Sequence, residues 1–121
     1  MQYIGVDIVE IARIERAIAS WGKQFLNRVY TDSELKLCCN RSSSLAVRFA
    51  GKEAVIKALG GLSRGFSWKE IEILADHRGK PLVYLYGSTQ DQATGMGLDS
   101  FAISLSDCRE YAVAFVVGET R

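Results

Sequence analysis

Apolar and polar residues change rhythm several times along this chain. Tyr3 to Val9 form a short apolar run suited to a buried strand. From there the period lengthens. Ile11, Ile14, Ala17, Ile18 and Trp21 recur at helical spacing with charge on the other side, which predicts an amphipathic helix. Thr31-Asp32-Ser33-Glu34 has the capping-box form and is expected to open a short helix through about Cys38. Ser43 or Ser44 is the expected cap of a longer helix that runs to Leu59 and is ended by Gly60-Gly61.

The second half reads as strands. Lys69 to Leu74 alternates polar and apolar, as a half-buried strand does. His77 to Lys80 reads as a turn before a strand from Pro81 to Tyr86. Ser88 to Gly95 suits a short helix, since Gly95 and Gly97 soon break it. Phe101 to Leu105 and Tyr111 to Val117 read as two strands of a hairpin joined through Ser106 to Glu110. Strand, helices, then strands predicts an α+β fold, with helices packed on an antiparallel sheet in one domain over residues 1–121.

Composition narrows the chemistry. Apolar residues make up 48% and charged residues 24%, the profile of a globular protein able to bury one core. A net charge of +1 gives no support to broad nucleic-acid binding. No apolar run is long enough to span a bilayer and no signal peptide is read, so no membrane role and a cytoplasmic location are expected. Three cysteines, Cys38, Cys39 and Cys108, make neither a disulfide framework nor a C-x-x-C zinc site, and His77 is the single histidine. Any metal would have to sit among carboxylates and water, which points to magnesium.

Two carboxylates stand where the apolar pattern expects none. Asp7 lies inside Ile4-Gly5-Val6-Asp7-Ile8-Val9, and aspartate is depleted in strands. An unpaired carboxylate buried there costs about several kcal/mol. The plain alternative is a strand-end aspartate that caps the next helix. Glu53 lies on a helix that is apolar on nearly every side, on the face shared with Phe49, Ile56 and Gly60. With Lys57 it also has the favourable order of an ordinary i,i+4 surface pair, worth about 0.3–0.5 kcal/mol. Together with Arg48, Lys52 and Lys57 on the same helix, the two carboxylates suit a site for Mg²⁺ and phosphates. Magnesium takes one or two carboxylates and completes its shell with water and phosphate oxygens, and lysine and arginine neutralise the rest.

These segments also resemble a known family. Ile4-Gly5-Val6-Asp7-Ile8-Val9-Glu10-Ile11-Ala12-Arg13-Ile14 resembles the N-terminal motif of the holo-acyl-carrier-protein synthases. Arg48-Phe49-Ala50-Gly51-Lys52-Glu53-Ala54-Val55-Ile56-Lys57-Ala58 resembles their second signature, R-F-A-x-K-E-A-x-x-K-A. Weaker matches follow in family order at Arg28 to Leu35, Trp68 to Ile73, Gly79-Lys80-Pro81 and Ile103 to Ala114. The resemblance covers nearly the whole chain.

The resemblance implies a phosphopantetheinyl transferase of fatty acid biosynthesis, moving 4′-phosphopantetheine from coenzyme A to a serine of apo-acyl carrier protein and releasing 3′,5′-ADP. It implies that Asp7 and Glu53 hold Mg²⁺ and that Lys57 contacts the attacked phosphate, with Arg48 and Lys52 as further phosphate contacts. Gly60 would let the helix end approach the nucleotide, and Lys80-Pro81 would lie near the adenine. Arg13 would meet the acidic carrier, and Arg16, Lys23 and Arg28 either extend that face or form a plain polar helix surface. Arg64 is either a phosphate contact or a solvated loop residue. The family is typically a homotrimer with sites between subunits. Either Glu53 or a water it orients would take the serine proton.

Two places depart from the family pattern. Its terminal motif usually reads S-L/I-S/T-H, whereas Asp107 follows Ser104-Leu105-Ser106 here. Gly61-Leu62 stands where Thr-Gly is common. Asp107 is either a turn residue bonding nearby amides or a member of the active site, where a carboxylate could accept a proton, hold a metal-bound water or pair with Lys57. Two rival classes remain: a silent protein that grips coenzyme A or a carrier, and a structural subunit of a larger synthase. Intact Asp7, Glu53 and Lys57 disfavour the first, and the lack of extensions the second.

Overall fold

The computed structural model describes residues 1–62 and 64–120. Strand β1 (Gln2–Glu10) leads directly into helix α1 (Ile11–Trp21), followed by α2 (Lys23–Val29), α3 (Asp32–Cys38) and the long α4 (Ser42–Ala58). A 3-10 turn at Trp68–Glu70 precedes β2 (Ile71–Ala75) and β3 (Pro81–Leu85); α5 (Gly87–Gly95), β4 (Leu98–Asp107) and β5 (Tyr111–Thr120) complete the order. The strands form an antiparallel three-stranded sheet, β1-β5-β4, and an antiparallel pair, β2-β3. The α+β expectation holds.

The core lies between α4 and the three-stranded sheet. Ala112, Ala114, Val116 and Gly118 alternate inward on β5, and these small residues let the helix lie close. Gly5 on β1 goes further: a Cβ there would stand 1.8 Å from the Ala54 carbonyl oxygen on α4. Only glycine fits. Because α4 is covered by the sheet, by α1 and by β2, it is apolar almost all round, as its sequence suggested.

Several local expectations need correction. The capping box is present, with the Thr31 side chain accepting from the Glu34 amide and Glu34 accepting from the Thr31 amide. Neither Ser43 nor Ser44 caps α4; Arg41 holds the N-cap position without a side-chain cap bond, and the helix begins at Ser42. Arg41 instead donates to the Cys38 and Leu37 carbonyls, closing the end of α3. Helix α2 was missed because it starts after Gly22 at φ 53 with no capping side chain to announce it. Lys69 to Leu74 is not one half-buried strand. Its first two residues belong to the 3-10 turn, and Ile71, Glu72 and Ile73 are all buried. Strand β4 runs through Asp107, so that residue ends a strand rather than lying in the connection.

The outer face of the sheet exposes an apolar patch along β1 and β5. Ile4, Val6 and Ile8 point there from β1, with Ile8 62% exposed, and Phe115 joins them opposite Val6. Among the described residues no helix is long and apolar enough to cross a membrane.

Candidate active site

Register places the first carboxylate. Asp7 pairs with Ala114 on the helix-facing side of the sheet, two residues beyond the glycine that admits α4. It therefore meets the C-terminal half of α4. The Lys57 ammonium donates to Asp7 Oδ1 at 3.1 Å and to the Val6 carbonyl at 3.1 Å. The lysine side chain is 55% exposed and the aspartate 16%. One end of the pair is anchored in the fold and the other is open to solvent.

Glu53 completes the corner one turn earlier on α4. It is half-buried, and that desolvation, followed by the nearby Asp7 charge, raises its carboxyl above the usual range; Arg13 and Lys57 pull it back down. Arg13 is held on α1 with its guanidinium 5.8 Å over the Phe49 ring. Asp7, Glu53, Arg13 and Lys57 thus form one electrostatic group drawn from β1, α1 and α4. Two hard carboxylates, one of them with its proton affinity raised by burial and by the other's charge, are the donor set magnesium accepts. Among the described residues no cluster of three or more acidic, histidine or cysteine side chains forms a metal cage. A magnesium bound here would therefore keep several non-protein oxygens.

Lys52 and Arg48 are placed differently from what their positions in the signature suggested. The Lys52 ammonium is fully buried, 2.8 Å from Glu34 Oε1, and also donates to the Trp68 carbonyl at 3.2 Å and to the Ile71 carbonyl. In this position it faces the core, not a phosphate. Glu34 is satisfied in turn by the Thr31 and Ile73 amides. Arg48 donates to the Ile73 carbonyl at 3.0 Å and to Ser44, so its guanidinium is largely committed to the fold.

Arg48 does border a second, polar cleft of about 300 Å³, together with Arg41, Ser44, Gly79, Pro81 and Asp107. Asp107 is exposed and pairs with Ala112, two strands from β1. The cleft opens at the N-terminal half of α4. Ser44 and Lys57 stand about 20 Å apart along the helix at 1.5 Å per residue. Asp107 and Pro81 therefore come together with each other but not with Asp7, Glu53 and Lys57 in one chain. Lys80 is exposed at the turn beside this cleft, Arg16 is exposed on α1, and Gly60 and Arg64 are exposed beyond the end of α4. Arg41 was not anticipated. Its place beside Asp107 depends on the β4 register, which no local pattern carries.

The family model described as the 4′-phosphopantetheinyl transferase superfamily matches residues 3–116. The chain belongs to that superfamily. It is 53% identical over 119 residues to the holo-[acyl-carrier-protein] synthase of Dehalococcoides mccartyi strain CBDB1, covering 98% of this chain and 99% of that one. Among solved structures, the Helicobacter pylori holo-[acyl-carrier-protein] synthase in complex with coenzyme A superposes with a TM-score of 0.87 at 37% identity, over 96% and 99% of the two chains. The Neisseria meningitidis holo-[acyl-carrier-protein] synthase gives 0.88 at 35% identity, over 98% of each.

Proposed function

We propose that the chain is a holo-[acyl-carrier-protein] synthase, transferring 4′-phosphopantetheine from coenzyme A to a serine of apo-acyl carrier protein in the cytoplasm, as a step of fatty acid biosynthesis. The observation that carries this reading is the convergence of Asp7, Glu53, Lys57 and Arg13 at one open corner, in the two segments that match the family signatures. The serine oxygen forms a bond to the β-phosphorus of coenzyme A while the bond from that phosphorus to the bridging oxygen breaks, and 3′,5′-ADP leaves. Lys57, oriented by Asp7 and the Val6 carbonyl, turns its remaining donor toward the phosphate and offsets the charge that builds on its oxygens. Glu53, with its raised proton affinity, accepts the serine proton directly or through a water. Asp7 and Glu53 would hold Mg²⁺, which supplies charge neutralisation of the diphosphate.

The same reading makes the enzyme a homotrimer with sites between subunits. The exposed apolar patch of Ile4, Val6, Ile8 and Phe115 supports association with further copies. Separation of the Asp107 cleft from the Asp7 corner supports a shared site, in which one chain's cleft adds Asp107, Arg48 and Pro81, with Lys80 on the turn beside it, to its neighbour's corner. Exposed Arg13 and Arg16 on α1 suit an acidic carrier. The test is direct: incubate the protein with coenzyme A, Mg²⁺ and apo-carrier, then measure the carrier's mass. Modified carrier that requires both coenzyme A and Mg²⁺ is the expected result. An unchanged carrier, with the protein folded and trimeric, would refute the reading.

A further inference from the structure

Lys57 stands on the last turn of α4, and part of what holds the end of that helix lies on another element. Gly60 donates its amide to the Lys57 carbonyl at 3.1 Å, and Gly61 donates to the Ile56 carbonyl at 3.0 Å. These are the paired bonds of a Schellman ending, with Gly60 at φ 83 and Gly61 at φ 126. The ending uses the amides. The carbonyls of Leu59 and Gly61 are engaged instead by one group, the Gln92 carboxamide nitrogen, at 3.3 and 3.1 Å.

Gln92 lies on α5, one turn after Thr89. The start of α5 is itself fixed by Glu70, whose Oε1 accepts from Ser88 Oγ at 2.7 Å, Thr89 Oγ1 at 2.8 Å and the Thr89 amide at 3.0 Å. Glu70 closes the 3-10 turn at the far end of the segment that leaves α4. One short helix therefore ties both ends of that segment. On its outer side there is room: a Cβ at Gly60, Gly61 or Gly65 would meet nothing within 4 Å.

The sign of the charge matters here. A helix C-terminus presents carbonyl oxygens with partial negative charge, which opposes an anionic ligand. The carbonyls of the C-cap Leu59 and of Gly61 just beyond the helix add to that partial charge, and engaged by Gln92 they are turned toward α5. We infer that Gln92 is a positioning residue for the anionic nucleotide half of the substrate: it holds the Leu59 and Gly61 carbonyls inward, fixes the rim formed by Gly60 and its neighbours, and sets affinity for coenzyme A without taking part in transfer. This rests on the reading of the corner as a coenzyme A site.

The experiment compares wild type with Gln92→Met, which keeps the length and loses both donors. Calorimetric Kd for coenzyme A should rise about tenfold, equivalent to about 1.4 kcal/mol. At saturating coenzyme A, kcat should stay within twofold, as should KM for the carrier. Hydrogen exchange at the Gly60 and Gly61 amides should quicken while β1 stays protected. Should the methionine variant fail to fold, Gln92→Glu, equally long and polar, gives the same reading with a larger loss expected. An unchanged Kd in a folded variant overturns the inference and leaves the enzyme assignment intact. So does a fall in kcat with Kd unchanged. A wild-type protein that binds no coenzyme A overturns the site reading and this inference with it.

Discussion

Helix α4 carries two lysine–carboxylate pairs five residues apart, and they have opposite characters. Lys52 and Glu34 are both fully buried, 2.8 Å apart, with the remaining hydrogen-bonding capacity taken by backbone groups of the 3-10 turn, β2 and the start of α3. Lys57 and Asp7 are 3.1 Å apart with the lysine more than half exposed. The first pair has nothing left to offer a ligand. The second, with Glu53 beside it, carries charge whose compensation is incomplete until something binds. Adjacent residues Lys52 and Glu53 thus divide between fold and chemistry, because a helix turns each to a different surround.

The largest effect should come from breaking the sealed pair. Lys52→Met leaves Glu34 charged and buried, which costs about 3–5 kcal/mol. Urea denaturation should show a midpoint far below wild type, or no folded protein. Stability close to wild type would mean that Glu34 reaches solvent once the lysine is gone.

The open corner should respond in the opposite way. Glu53→Gln and Asp7→Asn should each reduce transfer at least a hundredfold, about 2.7 kcal/mol of barrier, in a carrier-modification assay. Folding should survive. For Glu53 the sign can be worked out. Its folded proton affinity is raised above the ordinary carboxyl value, by desolvation first and Asp7 second. Its contribution to stability is therefore present below pH about 4.5 and lost as pH rises through the raised folded value. At neutral pH the charge costs stability in the ligand-free protein. Much of the side chain remains solvated and screened, so Glu53→Gln should raise the Tm only by roughly 2 °C, the shift that about half a kcal/mol gives in a chain of this size. A Tm lowered by several degrees would show that the carboxylate supports the fold instead.

How far the sequence reached follows the same division. Asp7 and Glu53 stood out in the sequence because each is a charge in a segment whose apolar pattern left no place for one, and the fold brings both beside Lys57. The limits of β1, α1 and α3 were legible because their apolar period changes or a capping box marks the start. Lys52 was misjudged for a physical reason: its partner, Glu34, had already been assigned a role in that capping box, and one carboxylate serves both. Sequence spacing shows a cap or an ion pair but not the sharing. Glu72 misled in the same way, being buried on an apparently alternating strand because Thr31 and Tyr86 donate to it from other elements. The Asp107 cleft joins the start of α4 to the β4 edge, and no local pattern reports such a contact.

Asp107→Asn sharpens the contrast between the two ends of α4. The side chain is exposed, so the Tm should hardly move. Transfer should slow about tenfold, or about 1.4 kcal/mol of barrier. A loss that shrinks at high Mg²⁺ indicates a metal role, and one that persists indicates proton transfer. Mixing Asp107→Asn with Asp7→Asn chains should restore some activity if the residues serve sites between subunits. No recovery in proven mixed trimers would place both residues in sites of the same chain.

The smallest effect, and the most discriminating, belongs to Arg13. The resemblance made it a carrier contact, whereas the fold also sets it near Glu53, whose carboxyl it helps to keep ionised. A pure docking arginine and a shared one predict different results. Arg13→Ala should raise KM for an acidic carrier severalfold, by about 1 kcal/mol or less because the contact is exposed and screened, and added salt should shrink the difference. Its second effect follows from charge. Without the guanidinium, Glu53 holds its proton more tightly, so the acid limb of the kcat/KM profile should move to higher pH. Coenzyme A affinity at a pH well above that limb should stay near wild type. If KM for the carrier rises while the acid limb stays in place, Arg13 is a docking residue alone and the corner reduces to Asp7, Glu53 and Lys57. If the limb moves with KM unchanged, the carrier is recognised elsewhere on α1, and Arg16 becomes the next residue to reverse.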